Sequence, residues 1–361
     1  LQLKQLQNYS MGEWIQPTPE DADRTFVPRQ VPTADELRSL LDATESMPDA
    51  CRKAEACDVV SPVQLAGTST EDWSQSLLVF DSGTIRTAMI GRVKALVELG
   101  ETSKAESELL TYAQFWSKYN LPLNWSDGRS TAVGGASGCL QLASELCREG
   151  KVSDRTIREI LSLSFDGDRL FAEAMAGEVV WACLLLRRGE YSLRKPGWFE
   201  WLSARQSTPP GWGVYESPFL RFGQRAEYCH EVRALLMHDL QFLHLVRNPK
   251  PWDQVEPVDI SCEWCWGYFV QALPEESMGF RQVNMAWLEL KLHSLQRKSG
   301  PLHNQRAAVE RLLGEQPYAG YRWKGTTLVI FPVPIMEFAP GYTESGENAQ
   351  RVLEIRLDPT D

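Results

Sequence analysis

The sequence predicts a mainly α protein: stacked antiparallel helical hairpins, as a bundle or short TPR-like α-solenoid, with a small antiparallel β-element at the C-terminal end. Three observations carry this. Apolar residues recur at helical spacing through most of the chain, as Ile85, Met89, Val93, Leu96 and Val97 do in SGTIRTAMIGRVKALVELG. A Gly–charged–x–Ser pattern recurs at Gly100, Gly150 and Gly189, where glycine takes the left-handed conformation that stops one helix and serine is placed to cap the next. Near the C-terminus, YRWKGTTLVIF is rich in β-branched and aromatic residues around a Lys–Gly turn.

Taken in order, residues 1–33 carry Pro17, Pro19, Pro28 and Pro32 among polar residues and read as an extended leader. The start, LQLKQLQ, has the look of a trimmed or mature terminus, so membrane proximity would come through a removed N-terminal segment. A helical body is expected over 34–275. It opens at TADELRSLLDATE, where Thr33 and Glu36 have the spacing of a capping box. In SKAESELLTYAQFWSKYN a second box is expected from Ser103 and Glu106, with Leu109, Tyr112, Ala113 and Trp116 as the buried stripe. Further helices are expected around 136–149, 153–164, 168–188, 221–247, 278–299 and 303–314. GGASG at 134–138 reads as a small-residue helix contact. A long loop at 189–224, rich in Pro, Gly and aromatics, interrupts the body. Residues 276–361 make a tail: a long helix and then a hairpin, with RVLEIRL as further strand-like text.

Composition narrows the function. A net charge of −11 repels phosphate backbones, and no basic stripe offsets it, so nucleic acid is not expected as a partner. No run of about 18 apolar residues spans a membrane. Eight cysteines in 361 residues are too sparse for a disulfide scaffold.

Cys262 and Cys265, in DISCEWCWGYF, are the one short motif of a kind that can name a chemistry. Trp266 follows where a haem tether needs His. The nearest further donors, Cys229 and His230, are adjacent on a presumed helix and diverge by about 100°, which opposes one metal. No βαβ context supports a thioredoxin-like dithiol. A structural disulfide or two buried thiols remain, and in an oxidising compartment Cys262–Cys265 is the favoured pair. Cys139 and Cys147 are eight apart on one helix, ~12 Å along its axis, too far to pair. No metal site and no cofactor are expected.

The candidate catalytic residues are Asp168 and Glu178, in FDGDRLFAEAMAGEVVWACLLL, as a carboxylate acid/base pair. Against them, Glu173 and Glu178 diverge on a helix, and an Asp166–Gly–Asp168 calcium loop would meet apolar Leu170 and Ala172 at its next ligand positions. The favoured assignment has Asp168 as a helix cap and Glu178 as a semi-buried structural carboxylate. Trp198, Trp201, Trp212 and Tyr215 form the candidate binding set: a stacking platform, or simply the packing of the loop on the body.

RVKALVELGETSKAESELL, AMAGEVVWACLLL, and RQVNMAWLELKLHSLQRKSGP followed by QPYAGYRWKGTTLVIF carry a resemblance over residues 83–335. The chain resembles uncharacterised extracytoplasmic helical proteins of planctomycete- and verrucomicrobia-like bacteria, whose tail is similar to the globular end of type II secretion pseudopilins. The resemblance implies a periplasmic or otherwise extracytoplasmic location and this architecture, but no reaction. Where that tail often has Asp–Pro–aromatic, here Gln316 precedes Pro317 and Tyr318, so a calcium-binding carboxylate is missing. The expected function is a non-catalytic cell-envelope interaction or scaffold protein. Its groove would receive a protein or envelope polymer through aromatics of the 189–224 loop, with Glu178 orienting the helices. The alternatives are a helical-fold hydrolase of polysaccharide or peptidoglycan and a secretion-apparatus component. No feature sets an oligomeric state.

Overall fold

A computed structural model describes residues 32–55, 82–118, 125–173, 273–334 and 343–358. Of these, 74% are helical, with a three-stranded antiparallel sheet at the C-terminal end, so the expected fold class holds.

The helices are α1 (Ala34–Ala43), α2 (Ser46–Glu55), α3 (Ser82–Glu98), α4 (Thr102–Lys118), α5 (Trp125–Arg148), α6 (Asp154–Leu161), α7 (Leu273–Ser299), α8 (Arg306–Gly314) and α9 (Thr343–Val352). A further helical stretch covers 167–173. Thr33 starts α1 with the expected box. Its hydroxyl accepts from the Glu36 N–H, and the Glu36 carboxylate accepts from the Thr33 N–H at 2.7 Å. Two of the glycine stops also appear as read. Gly100 (φ +75°) and Gly150 (φ +69°) each follow a helix. The Gly100 N–H donates to Val97 O and the Glu101 N–H to Leu96 O. Around Gly150 the bonds run from its N–H to Cys147 O and from the Lys151 N–H to Leu146 O. Each set is a Schellman pair, which satisfies the last carbonyls and reverses the chain. Gly189 lies outside the described residues.

Some boundaries differ from expectation. Helix α5 begins at Trp125 rather than near 136. A 3-10 turn, Leu302–Gln305, opens the segment expected as one helix from 303. RVLEIRL is strand only at Ile355–Leu357, because its first residues end α9.

Helices α3, α4 and α5 pack on one another, α2 on α4, and α7 most extensively on α5. Close approach of α4 and α5 depends on Gly135, where a Cβ would sit 2.4 Å from Trp116 ring carbons. The small-residue contact read from GGASG is this one. Helix α7 is buried on two faces. Phe280, Val283, Ala286 and Leu290 enter the core of the helical body, while Met285, Leu288 and Leu292 enter a second core under the sheet. The expected division at residue 275/276 falls in the first turns of this helix, which serves both cores.

The sheet is ordered β1 (Ala319–Lys324), β2 (Thr327–Pro332), β3 (Ile355–Leu357). Lys324 pairs with Thr327, which leaves a two-residue turn at Gly325–Thr326. Gly325 has φ +65° and Thr326 a negative φ, the type II′ pattern that suits the twist of a hairpin. Leu328 and Ile330 point into the second core with Leu357. On the other face the Phe331 ring lies over its cross-strand partner Gly320.

Candidate functional site

Among the described residues, groups able to do chemistry gather in the helical interior as four polar clusters. The most enclosed joins α1, α3 and α4. Arg92 and Glu108 have side chains only 2% and 5% exposed. The guanidinium grips the carboxylate with two bonds, Nε to Oε2 at 3.0 Å and Nη2 to Oε1 at 2.8 Å. Its Nη1 donates to Leu41 O at 2.7 Å and to the Thr44 hydroxyl at 2.6 Å. Thr44 passes the chain on to Leu40 O at 2.8 Å, and the Tyr112 hydroxyl donates to Glu108 Oε2 at 3.0 Å. Burial pushes the Tyr112 phenol far up, and the Glu108 charge pushes it further in the same direction. The Arg92 guanidinium loses solvation but is raised on balance by its bonds to Glu108, so it stays charged.

A second cluster replaces the box expected within α4. Helix α4 begins at Thr102, and the first bonds of its opening turn run to Glu101 O, so Ser103 is already inside the helix and cannot cap it. Glu106 instead reaches to the start of α6. It accepts from the Ser153 N–H at 2.6 Å, the Ser153 hydroxyl at 2.8 Å and the Thr156 hydroxyl at 2.8 Å. Glu106 thus fills the role of the capping-box glutamate for a helix in another hairpin. Burial disfavours its charge, but these bonds and Arg297 outweigh burial and hold it below the usual carboxylate range.

The third cluster contains Asp168. Arg281 of α7 donates Nε to Oδ1 at 2.8 Å and Nη2 to Oδ2 at 2.9 Å, and its Nη1 donates to Val333 O just past β2. The expected cap is Asp166 rather than Asp168. Asp166 Oδ1 accepts from the Asp168 and Arg169 N–H groups at 3.0 and 3.1 Å. Asp168, two residues further on, faces α7 and is the anchor. Gly167 permits this approach: a Cβ there would stand 2.2 Å from Phe280 O, and its N–H donates to Asn284 Oδ1.

The fourth cluster lies between α5 and α7. Glu289 is 19% exposed in its side chain, with Nε2 of buried His293 3.8 Å away one turn along. Burial raises the Glu289 carboxyl to about 7, while Arg148 and the Ser144 hydroxyl of α5 draw it back down.

Three of the clusters hold backbone elements in register and present no carboxylate free to move a proton to a substrate. A cavity between Met89, Leu109, Tyr112, Trp116 and Cys139 measures about 10 Å³, space for one water. Cys51, Cys139 and Cys147 are free and buried, and Cys139 and Cys147 do not pair with each other, as expected. Burial pushes the Cys51 and Cys139 thiols up to about 12, which keeps them out of the reactive thiolate form. Among the described residues no group of three or more His, Cys, Asp or Glu is placed to hold a metal ion, and no helix is long and apolar enough to cross a membrane.

Of the candidate catalytic, binding and disulfide residues, Asp168 is the one described. Glu178, Trp198, Trp201, Trp212, Tyr215, Cys262 and Cys265 lie outside the described residues. Arg92, Glu108 and Glu289 were missed, although each carried a signal. Arg92 falls in the apolar stripe of α3, Glu108 is four residues before Tyr112, and Glu289 is four before His293. No family model, no curated protein and no solved structure matches the chain.

Proposed function

We propose that this chain is a non-catalytic interaction or scaffold protein of the cell envelope, acting outside the cytoplasm and receiving a protein or an envelope polymer. The observation that supports it most is the state of Asp168. As the proposed acid/base partner of Glu178 it would need a carboxylate open to substrate, yet both its oxygens are taken by Arg281. The clamp instead fixes the helical stretch at 167–173 against α7. The proposed binding set is Trp198, Trp201, Trp212 and Tyr215. Burial of those aromatics against the partner is the proposed source of affinity.

Co-sedimentation with purified peptidoglycan and with envelope proteins tests the reading. Binding should survive Asp168→Asn and Glu178→Gln and fall at least tenfold in Trp198→Ala and Trp212→Ala. Release of soluble sugar fragments by the wild type, abolished by Glu178→Gln, would instead establish the hydrolase. A second reading, a secretion-apparatus component, draws on the order of α7, a short connection and the β1–β2 hairpin. It predicts co-purification with an inner-membrane assembly that depends on residues 276–361.

A further inference from the structure

The C-terminal sheet has an open edge. Its order is β1-β2-β3, so β1 bonds to β2 on one flank only. Closure of the two-residue turn makes Lys324 and Thr327 a mutually hydrogen-bonded pair, and bonded and unbonded pairs alternate from there. Lys324, Arg322 and Gly320 therefore turn their peptide groups toward β2, while Tyr321 and Trp323 turn theirs outward. Two observations fix this phase. Pro332, which has no N–H, stands opposite Ala319, at a pair that exchanges no bonds. The Val333 N–H donates to Tyr318 O at 2.9 Å, in step with Gly320 and Arg322. Among the described residues nothing bonds the outward groups of Tyr321 and Trp323.

The edge is exposed as well as unbonded. Tyr321, Arg322 and Lys324 are open to solvent, and Tyr321 is a large side chain 38% exposed. The opposite edge strand, β3, has three residues and is a poor template, whereas β1 has six. From the core side α8 holds β1 extended. Arg306 lies over the Trp323 ring at 4.7 Å and donates to Gly325 O at 2.7 Å, and Trp323 Nε1 donates to Glu310 at 3.2 Å.

The surroundings are cationic in an acidic protein. Residues 302–334 carry Arg306, Arg311, Arg322 and Lys324 against Glu310 and Glu315, while the chain as a whole carries −11. Glu310 is held by Trp323, and Glu354 of the neighbouring segment by Arg322. Lys324 has no ion-pair partner among the described residues.

We propose that the free edge of β1 is a docking site for an extended acidic peptide segment of another protein, which adds a strand to the sheet. Tyr321 and Trp323 offer their N–H and C=O groups to its main chain, and its carboxylates meet Lys324. A second copy of β1 is disfavoured, because it brings Arg322 and Lys324 of both chains onto one ribbon. This site does not use the aromatic set at 198–215 and is tested apart from it.

The full chain is titrated with a short alternating Glu–Val peptide and with its Lys–Val counterpart. Binding is read by anisotropy of the labelled peptide and by residue-resolved amide hydrogen exchange. The acidic peptide should slow exchange at Tyr321 and Trp323 and leave Arg322, already bonded to Val329, unchanged. The basic peptide should do neither. Lys324→Glu should weaken acidic-peptide binding about fivefold. Tyr321→Pro removes an outward N–H and leaves the β1–β2 ladder intact, so it should bind about tenfold more weakly than Tyr321→Ala. Absence of protection by the acidic peptide, equal binding of the two peptides, or equal binding by Tyr321→Pro and Tyr321→Ala overturns the site. Protection of Tyr321 and Trp323 that grows with the concentration of the protein alone also overturns it and assigns the edge to a second copy. Should Tyr321→Pro not fold, exchange in the wild type with the two peptides decides.

Discussion

Removing one partner from the Arg92–Glu108 pair should be among the most damaging single changes in the helical body. Arg92→Met keeps the length and apolar stem of the side chain and deletes four hydrogen bonds, at 2.6, 2.7, 2.8 and 3.0 Å. What remains is a Glu108 carboxylate 5% exposed, with Tyr112 as its surviving donor, and the Leu41 carbonyl deprived of the guanidinium. An uncompensated buried charge of this kind costs about 3–5 kcal/mol. The pair itself contributes much less, because two ions must be desolvated to form it. Arg92→Met combined with Glu108→Leu should therefore recover most of the loss and end within about 1–2 kcal/mol of wild type. Equilibrium urea denaturation at pH 7, followed by far-UV circular dichroism, reads both values. The double variant should be more stable than either single one, which is the diagnostic outcome. If Arg92→Met costs less than about 1 kcal/mol, or the losses simply add, the network is not the enclosed charge pair that its geometry implies.

Two glycines should respond with opposite signs. Gly135→Ala forces a methyl into the Trp116 ring and should cost about 1–3 kcal/mol, whereas Gly279→Ala meets no atom within 4 Å and should add about 0.5–1 kcal/mol from helix propensity alone. Thermal melting of the two variants checks the contrast. Asp168→Asn should lose about 1.5–3 kcal/mol through its bidentate bonds to Arg281, read as a shifted urea midpoint. Asp154→Asn, whose partner Arg297 is 34% exposed, should lose less than about 1 kcal/mol. Peptide-resolved alkylation should leave Cys51 and Cys139 unmodified in the native protein and label both in urea, since each thiol is buried and raised to about 12.

How far these features were legible in advance depends on the range over which each cause acts. The Thr33–Glu36 box, the glycine stops at 100 and 150 and the Gly325 turn are settled within five or six residues, so the local text was enough. The Ser103–Glu106 box failed because two acceptors compete for one role. Glu101 O already satisfies the opening N–H groups of α4, and Glu106 instead accepts from the N-cap Ser153 of α6, 47 residues away, a partner that periodicity does not name. The same reasoning moves the cap from Asp168 to Asp166. Either residue suits a helix start, but Arg281, 113 residues further on, claims Asp168. Arg92 was the most instructive omission. A cation inside an apolar stripe announces a buried acid somewhere, and Glu108, among Leu109 and Tyr112, was the available one.

That pattern bears on function as well as on folding. In a helical body assembled from local hairpins, the long-range information sits in a few ionic contacts: Arg92 to Glu108 and Leu41, Glu106 to Ser153, Arg281 to Asp168 and Val333. Arg92 ties the α3–α4 hairpin, through Glu108, to Leu41 of α1, and the other two cross between more distant units. Glu289 is the exception, half-matched on the central seam. There burial outweighs the neighbouring Arg148 and raises the carboxyl, the reverse of the balance at Glu106, where the bonds to Ser153 and Thr156 win.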